Sequence, residues 1–159
     1  MLLAMGRFPR LPQRLDRVFV AAPVYFITFC TYRRRPLLAT PELHAAFVAF
    51  SKRAFQKHHV AVGRYVVLPD HIHLFVSGDH AFHLGRWMGL LKQALTKCVV
   101  RRSDSAPVWQ RGFFDHVLRS GESYSQKWEY VRDNPVRAKL VPDADAWPFA
   151  GEIVIIDRA

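Results

Sequence analysis

Two histidines separated by one residue lie in an otherwise apolar run. His71 and His73 flank Ile72 in HIHLFVS. Because side chains alternate between the two faces of a strand, both imidazoles of a strand-borne pair project from the same face. Two imidazoles can hold one metal ion and leave coordination positions open for phosphate oxygens. The histidine pair (His71 and His73) is therefore a candidate metal site. The alternative is that both histidines are ordinary hydrogen-bonded residues of the sheet.

A tyrosine and an amide follow at helical spacing. Tyr130 and Asn134 are four residues apart and project from one face of a helix. A phenol that loses its proton can attack a phosphodiester and form a phosphotyrosine link, which conserves the bond energy for rejoining. Tyr130 is thus a candidate nucleophile, with Tyr124 a weaker one, although either could be a packing residue. Asn134 is a candidate metal-binding amide or an ordinary helix end before Pro135.

Aromatic and basic residues surround these groups in the sequence. Exposed aromatics can stack on unpaired bases and arginines can contact phosphates, whereas the alternative for most of the aromatics is the core. His116 is a further polar residue of a site or an ordinary sheet residue. The aromatic candidates are Trp109, Phe113, Phe114, Trp128 and Trp147, and the DNA-binding candidates are Arg111, Arg119, Arg132 and Arg137.

The composition favours a polyanionic partner. Lys and Arg total 23 against 13 Asp and Glu, which gives a formal charge of +10 and a pI near 10.2. A length of 159 residues with 50% hydrophobic residues fits one packed domain and excludes a disordered chain. No run of about 18 apolar residues occurs, so we expect a soluble, cytoplasmic protein without a membrane partner.

The elements that must position these groups follow from the hydrophobic pattern. Strand-like and helix-like segments alternate in the order strand, helix, strand, strand, helix, strand, helix. This order predicts an α+β ferredoxin-like sandwich, an antiparallel sheet with helices on one face. The predicted strands are 24–33, 60–68, 72–77 and 108–119. The first predicted helix follows Thr40, the second spans 82–102, and the third opens at 121–123 and ends or bends at 134–135.

We divide the chain into three parts. Residues 1–23 combine arginines with prolines and read as a basic N-terminal arm, residues 24–141 as the nuclease domain, and residues 142–159 as a C-terminal tail.

Three ordered blocks carry a family resemblance. They are YVVLPDHIHLFVSG (65–78), WQRGFFDHVLR (109–119), and YSQKWEYVRDNPVRAKLV (124–141) followed by WPF (147–149). Together they resemble the REP-associated tyrosine transposases, relatives of the one-tyrosine, HUH-type transposases of small insertion sequences. The resemblance covers the chain from Val24 to Phe149.

The resemblance implies a function and a site. It implies that the histidine pair binds a divalent metal, Mg²⁺ or Mn²⁺, and that Tyr130 is the nucleophile. Related enzymes carry glutamine four residues after the tyrosine as a further ligand, and this chain has Asn134 there. The implied activity is cleavage and strand transfer of single-stranded DNA beside hairpins of repetitive palindromes, through a 5′-phosphotyrosine. Relatives include monomers and homodimers.

Two other functions remain open. A non-catalytic nucleic-acid-binding protein on the same fold would explain the charge and the aromatic residues without using the histidine pair or Tyr130. A metal-dependent hydrolase of small phosphoesters would use water in place of tyrosine, so its activity would survive Tyr130→Phe.

Overall fold

A five-stranded antiparallel sheet with the strand order β5-β2-β4-β3-β6 is the centre of the fold. The computed structural model describes residues 17–20, 22–99, 105–118 and 124–158, with side chains for 22–99, 105–118 and 124–157. β1 and β7 form a separate parallel pair. The strands are β1 (Arg17–Val20), β2 (Val24–Cys30), β3 (Ala61–Val67), β4 (His71–Ser77), β5 (Phe114–Leu118), β6 (Ala150–Glu152) and β7 (Ile155–Arg158). The helices are α1 (Pro41–His58), α2 (Leu84–Thr96), α3 (Tyr124–Arg132) and α4 (Asn134–Arg137).

The ferredoxin-like prediction is confirmed. The succession β2-α1-β3-β4-α2-β5 forms a four-stranded antiparallel unit in which the first strand, β2, lies between the last, β5, and the third, β4. α1 begins at Pro41 after Thr40, whose hydroxyl accepts a hydrogen bond from the Leu43 N–H, a standard N-cap with proline at the first helical position. α1 and α2 pack on each other and cover one face, the helical face.

The core lies between the sheet and these two helices. Every second residue of β4 points into it, and Ile72, Leu74 and Val76 are fully buried. Phe47 of α1 packs against Tyr65 of β3 with ring centroids 4.6 Å apart. Burial of apolar surface stabilises the fold by about 25 cal/mol per Å², and a slip of β4 by one residue would expose all three aliphatic side chains. This alternation therefore fixes the register of β4.

The prediction of helices on one face holds for α1 and α2 but not for α3, which packs on the opposite face of the sheet, the histidine face. The Tyr124 ring lies 4.5 Å from Phe75, which alternates with the residues of the helical face. Its hydroxyl accepts a hydrogen bond of 2.8 Å from the Arg64 backbone N–H. Gly63 makes this approach possible, because a Cβ there would overlap the Tyr124 hydroxyl. The start of α3 is therefore anchored firmly on β3 and β4.

One predicted strand is shorter in the structure than in the sequence-based prediction. The strand predicted at 108–119 is a strand only at 114–118, because residues 108–113 form a loop with one bridge between Trp109 and Thr31. Lys92 holds this loop by donating to the carbonyl oxygens of Gln110 and Gly112, and Gly112 has a positive φ of 76°. A positive φ favours glycine and interrupts the strand.

The last segment of the chain packs on the sheet. β6 pairs with the outer edge of β3, and Trp147 donates its indole N–H to the Val67 carbonyl. Residues 150–152 and 155–158 of the predicted tail thus form strands. Residues 1–16 and 21 of the predicted arm lie outside the described residues, and 17–20 form β1. In the part of the chain that the structure describes, no helix has the length and apolar character needed to cross a bilayer.

Candidate active site

His71 is held by a carboxylate next to it in the chain. Its Nδ1 lies 2.7 Å from Asp70 Oδ1 and 3.4 Å from an Arg34 guanidinium nitrogen. The shorter contact decides the tautomer, since Nδ1–H can donate to the carboxylate but not to a second donor. Arg34 instead binds the other Asp70 oxygen through Nε at 2.8 Å. His71 therefore carries its proton on Nδ1, and its Nε2 lone pair is available.

His73 is deeper and more strongly perturbed. Its Nδ1 lies 2.7 Å from Thr28 Oγ1, and its ring stacks on Phe26 at 5.5 Å. Burial, together with smaller electrostatic effects of His71 and Arg137, lowers the pKa of His73 to about 3. Burial also lowers the pKa of His71, against the opposing effect of Asp70. Both imidazoles are neutral at pH 7, which is the form that binds metals.

The donor set of the histidine pair fits a divalent ion. The two rings are 4.8 Å apart between centroids and nearly perpendicular, and both Nδ1 atoms are bonded to oxygen. Metal-binding histidines have this arrangement, because the second nitrogen is oriented by a carboxylate, hydroxyl or carbonyl. Among the described residues, no group of three or more His, Cys, Asp and Glu side chains is placed to hold a metal ion. The pair would supply two ligands, and substrate oxygens, water or an amide the others.

Tyr130 lies on the exposed side of α3 and has a cation over its ring. Its side chain is 68% exposed, and the Arg137 guanidinium carbon lies 4.2 Å from the ring centroid. Arg137 also donates to the Tyr130 carbonyl oxygen at 2.8 Å. Lys127, one turn earlier, lies 4.8 Å from the Phe26 ring. These residues form one stripe of α3 and α4 beside the face that carries the histidine pair.

Asn134 sits at the junction of α3 and α4 with its amide engaged. Its Nδ2 donates to the Val131 carbonyl at 2.9 Å, and its Oδ1 accepts from Arg137 at 2.9 Å. The first bond satisfies a carbonyl at the helix end, as expected of asparagine there. An amide oxygen has two lone pairs, so Oδ1 keeps one acceptor position beside the Arg137 bond. Its role as a metal ligand remains a prediction.

The other tyrosine of α3 has a structural role. Tyr124 is packed against Phe75 and bonded to the β3 backbone, and burial raises its pKa well above the ordinary value. A buried phenol whose ionisation is opposed is a poor nucleophile. Tyr130, exposed and with the Arg137 guanidinium over its ring, is the better candidate.

The four predicted DNA-binding arginines lie in different environments. Arg137 is beside Tyr130, and Arg111 is exposed in the loop before β5. Arg132 projects from another side of α3 and pairs with Asp145 at 2.6 Å, with only 19% of its side chain exposed. Arg119 lies outside the described residues. Three of the predicted aromatics are structural: Trp128 is buried, and the indole N–H groups of Trp109 and Trp147 are bonded within the fold.

Sequence reasoning missed the residues that orient the histidine pair. Asp70 falls between the predicted strands 60–68 and 72–77, and Arg34 comes from the loop after β2, 36 residues away. Thr28 pairs with His73 across β2 and β4 in register. The carboxylate directly before the first histidine was the signal that could have pointed to Asp70. The contribution of Arg34 requires a left-handed backbone at Arg33 and Arg34, which the sequence does not reveal.

The geometry and fold agree with a known class of proteins. The model of the family "Transposase IS200 like" matches residues 20–134, well over half of the chain. The chain therefore belongs to the IS200-like transposase family.

The matches to individual proteins name a narrower group than the family model does. The chain is 28% identical over 141 residues to a REP-associated tyrosine transposase of Escherichia coli K12, covering 84% of this chain and 79% of the relative. A putative REP-associated tyrosine transposase of Haemophilus influenzae is 22% identical over 145 residues, with 84% and 82% covered. The solved structure of a REP-associated tyrosine transposase bound to a REP hairpin superposes with a TM-score of 0.63 at 21% identity, covering 92% of this chain and 82% of that one. This last likeness supports the fold.

Proposed function

We propose that this chain is a metal-dependent endonuclease and strand transferase for single-stranded DNA, acting beside palindromic hairpins through a 5′-phosphotyrosine at Tyr130. The observation that carries the proposal is the pairing of two groups. The histidine pair is neutral, with both Nδ1 atoms bonded to oxygens, and an exposed tyrosine with a guanidinium over its ring lies on the helix that packs on the same face.

The reaction is an exchange of one phosphoester for another. The Tyr130 hydroxyl oxygen forms a bond to the scissile phosphorus, and the bond from phosphorus to the 3′-oxygen breaks. The phenol gives up one proton and the departing 3′-oxygen takes up one, so the step is balanced and reversible. A divalent ion at the histidine pair, when bound, would polarise the phosphate.

Residues of this chain would prepare that step. Asp70 and Thr28 fix the two rings so that the free nitrogens need no reorientation on binding. Arg137 restrains Tyr130 and places positive charge where negative charge develops on the phosphate. Lys127 adds a second cation on the same stripe.

The substrate class rests on charge and kinship. A net charge of +10 favours a polyanion. The similar solved structure described above is bound to a REP hairpin, and we propose a hairpin-forming single strand as the substrate of this chain.

A denaturing-gel assay tests the proposal. The full chain is incubated with Mn²⁺ or Mg²⁺ and labelled oligonucleotides that contain palindromic hairpins with single-stranded flanks. We expect a labelled protein–DNA adduct that Tyr130→Phe and His71→Ala both abolish and that Tyr124→Phe preserves. Cleavage that persists in Tyr130→Phe would show that water is the nucleophile.

A second candidate, a DNA-binding protein without cleavage, is favoured by one observation. The oxygen of Asn134, the predicted third ligand, already accepts a hydrogen bond from Arg137. Hairpin binding that is unaffected by chelators, with no adduct under any metal, would establish this alternative.

A further inference from the structure

One aromatic side chain on the sheet is exposed without an evident structural reason. Phe114, the first residue of β5, is 60% exposed, and among the described large hydrophobic residues only Tyr130 is more exposed. The burial of a phenylalanine side chain contributes about 1.5–3 kcal/mol, so a folded domain usually covers it. Single exposed hydrophobic residues occur on many proteins. The position of this one makes it informative.

Strand register places Phe114 in a row with the histidine site. Phe114 pairs with Thr28 of β2, and Thr28 pairs with His73 of β4. Directly paired residues project from the same face of a sheet, so all three lie on the histidine face. The Thr28 hydroxyl bridges part of the row, since it contacts His73 at 2.7 Å. Because neighbouring strands are about 4.8 Å apart, the backbone of Phe114 lies about 10 Å from the backbone of His73.

The surroundings of Phe114 suit a nucleic-acid strand. β5 pairs only with β2 within the described residues, so the exposed ring lies on the edge strand of the described sheet. The acidic residue of β5, Asp115, pairs with Ile27 and therefore points to the helical face. Arg111 is exposed in the loop just before the strand. A flat apolar ring with no acidic side chain of its own strand on the same face, and with an exposed arginine in the adjoining loop, is an arrangement on which unpaired bases stack.

We propose that Phe114 is a stacking platform for an unpaired nucleobase of the DNA strand whose neighbouring phosphate lies at the histidine pair. The placement of that phosphate rests on the proposed function. Stacking on phenylalanine accepts any base, so Phe114 would orient the strand and contribute affinity without reading sequence. The exposure of Phe114 is the cost of keeping this surface open for the DNA.

Base-specific fluorescence tests the platform without cleavage. The full chain carrying Tyr130→Phe is mixed, in the presence of a chelator, with hairpin oligonucleotides that carry 2-aminopurine at successive single-stranded positions. Stacking quenches 2-aminopurine, so we expect one flanking position to be quenched strongly. Phe114→Ala should abolish that quenching and weaken binding by about 5- to 100-fold, the equivalent of one lost base–aromatic stack. Phe114→Trp should restore both.

Val117→Ala is the matched control. Val117 is 40% exposed on the same strand but pairs with Tyr25, so it points to the helical face. Its truncation should change neither quenching nor affinity. Phe114→Ala binding as tightly as the parent with the same quenching profile would overturn the inference, as would an equal loss in Val117→Ala.

The two proposals fail differently. Quenching that depends on Phe114, in a protein that never forms a DNA adduct with metal, would support the platform and refute the nuclease. An adduct that forms with DNA whose binding does not depend on Phe114 would refute the platform alone.

Discussion

The burial of neutral His73 makes the stability of the protein depend on pH. An unfolded histidine has a pKa of about 6.5, whereas burial, followed by the charges of His71 and Arg137, holds the pKa of His73 at about 3. Between these values the unfolded chain binds more protons than the folded one. The stability that neutral His73 contributes is therefore fully present above the unfolded pKa and is lost progressively as the pH falls below it.

The magnitude follows from the width of that window. Each pH unit below the unfolded pKa costs about 1.4 kcal/mol until the folded pKa is reached. Lowering the pH from 7 to 5 should therefore cost about 2 kcal/mol through His73 alone. Burial also lowers the pKa values of His71 and His44, so the wild-type protein should lose more than this.

Urea denaturation in the presence of a chelator measures the effect, with tryptophan fluorescence as the readout at pH 7 and pH 5. The matched variant is His73→Gln, which keeps a polar side chain next to Thr28 but does not titrate. We expect the drop in unfolding free energy to be smaller in His73→Gln than in the wild type by about 2 kcal/mol. Equal drops in both proteins would refute the reasoning, because they would mean that His73 ionises normally in the fold.

Three further predictions concern the frame of the site. Gly63→Ala should lower the unfolding free energy by about 1–3 kcal/mol, because the new Cβ overlaps the Tyr124 hydroxyl. Gly89→Ala, in the middle of α2 with nothing within 4 Å of the new Cβ, should raise the unfolding free energy by about 0.5–1 kcal/mol. Equal urea midpoints for the two variants would contradict this. Asp70→Ala should weaken Mn²⁺ binding by about 10- to 100-fold, because His71 loses the carboxylate that orients its ring. Electron paramagnetic resonance measures the Mn²⁺ affinity, and an unchanged affinity would exclude an orienting role for Asp70. Arg137→Gln should slow adduct formation while the melting temperature stays near that of the wild type, and a wild-type rate would exclude Arg137 from the reaction.

Periodicity in the sequence was enough to predict four strands of the sheet, β2 to β5, and the side of it that carries the histidines, whereas β6 lies in the segment predicted as a tail. Alternation along β4 required Ile72 and Leu74 on one face and the histidine pair on the other, and the structure has this arrangement. The order of strands and helices likewise predicted the ferredoxin-like topology. These inferences held because they depend on local pattern and on general rules of chain connection.

Contacts between distant residues could not be predicted in this way. Arg34 reaches Asp70 only because two consecutive residues adopt a left-handed backbone. Arg132 was assigned to DNA from its charge, but its pairing with Asp145 depends on where the chain returns after α4. The path of α3 across the histidine face depends on Gly63, whose missing side chain carries no hydrophobic signal. In each case the tertiary neighbour, and not the residue type, decides the role.

The most direct test of the proposed function is the identity of the residue that becomes linked to DNA. The adduct formed with Mn²⁺ and a hairpin oligonucleotide is digested with nuclease and trypsin, and the modified peptide is sequenced by mass spectrometry. We predict a nucleotide 5′-phosphate on Tyr130, in the peptide that also contains Trp128 and Glu129. Linkage at any other residue, or cleaved DNA without any linked peptide, would contradict the assignment of Tyr130 as the nucleophile.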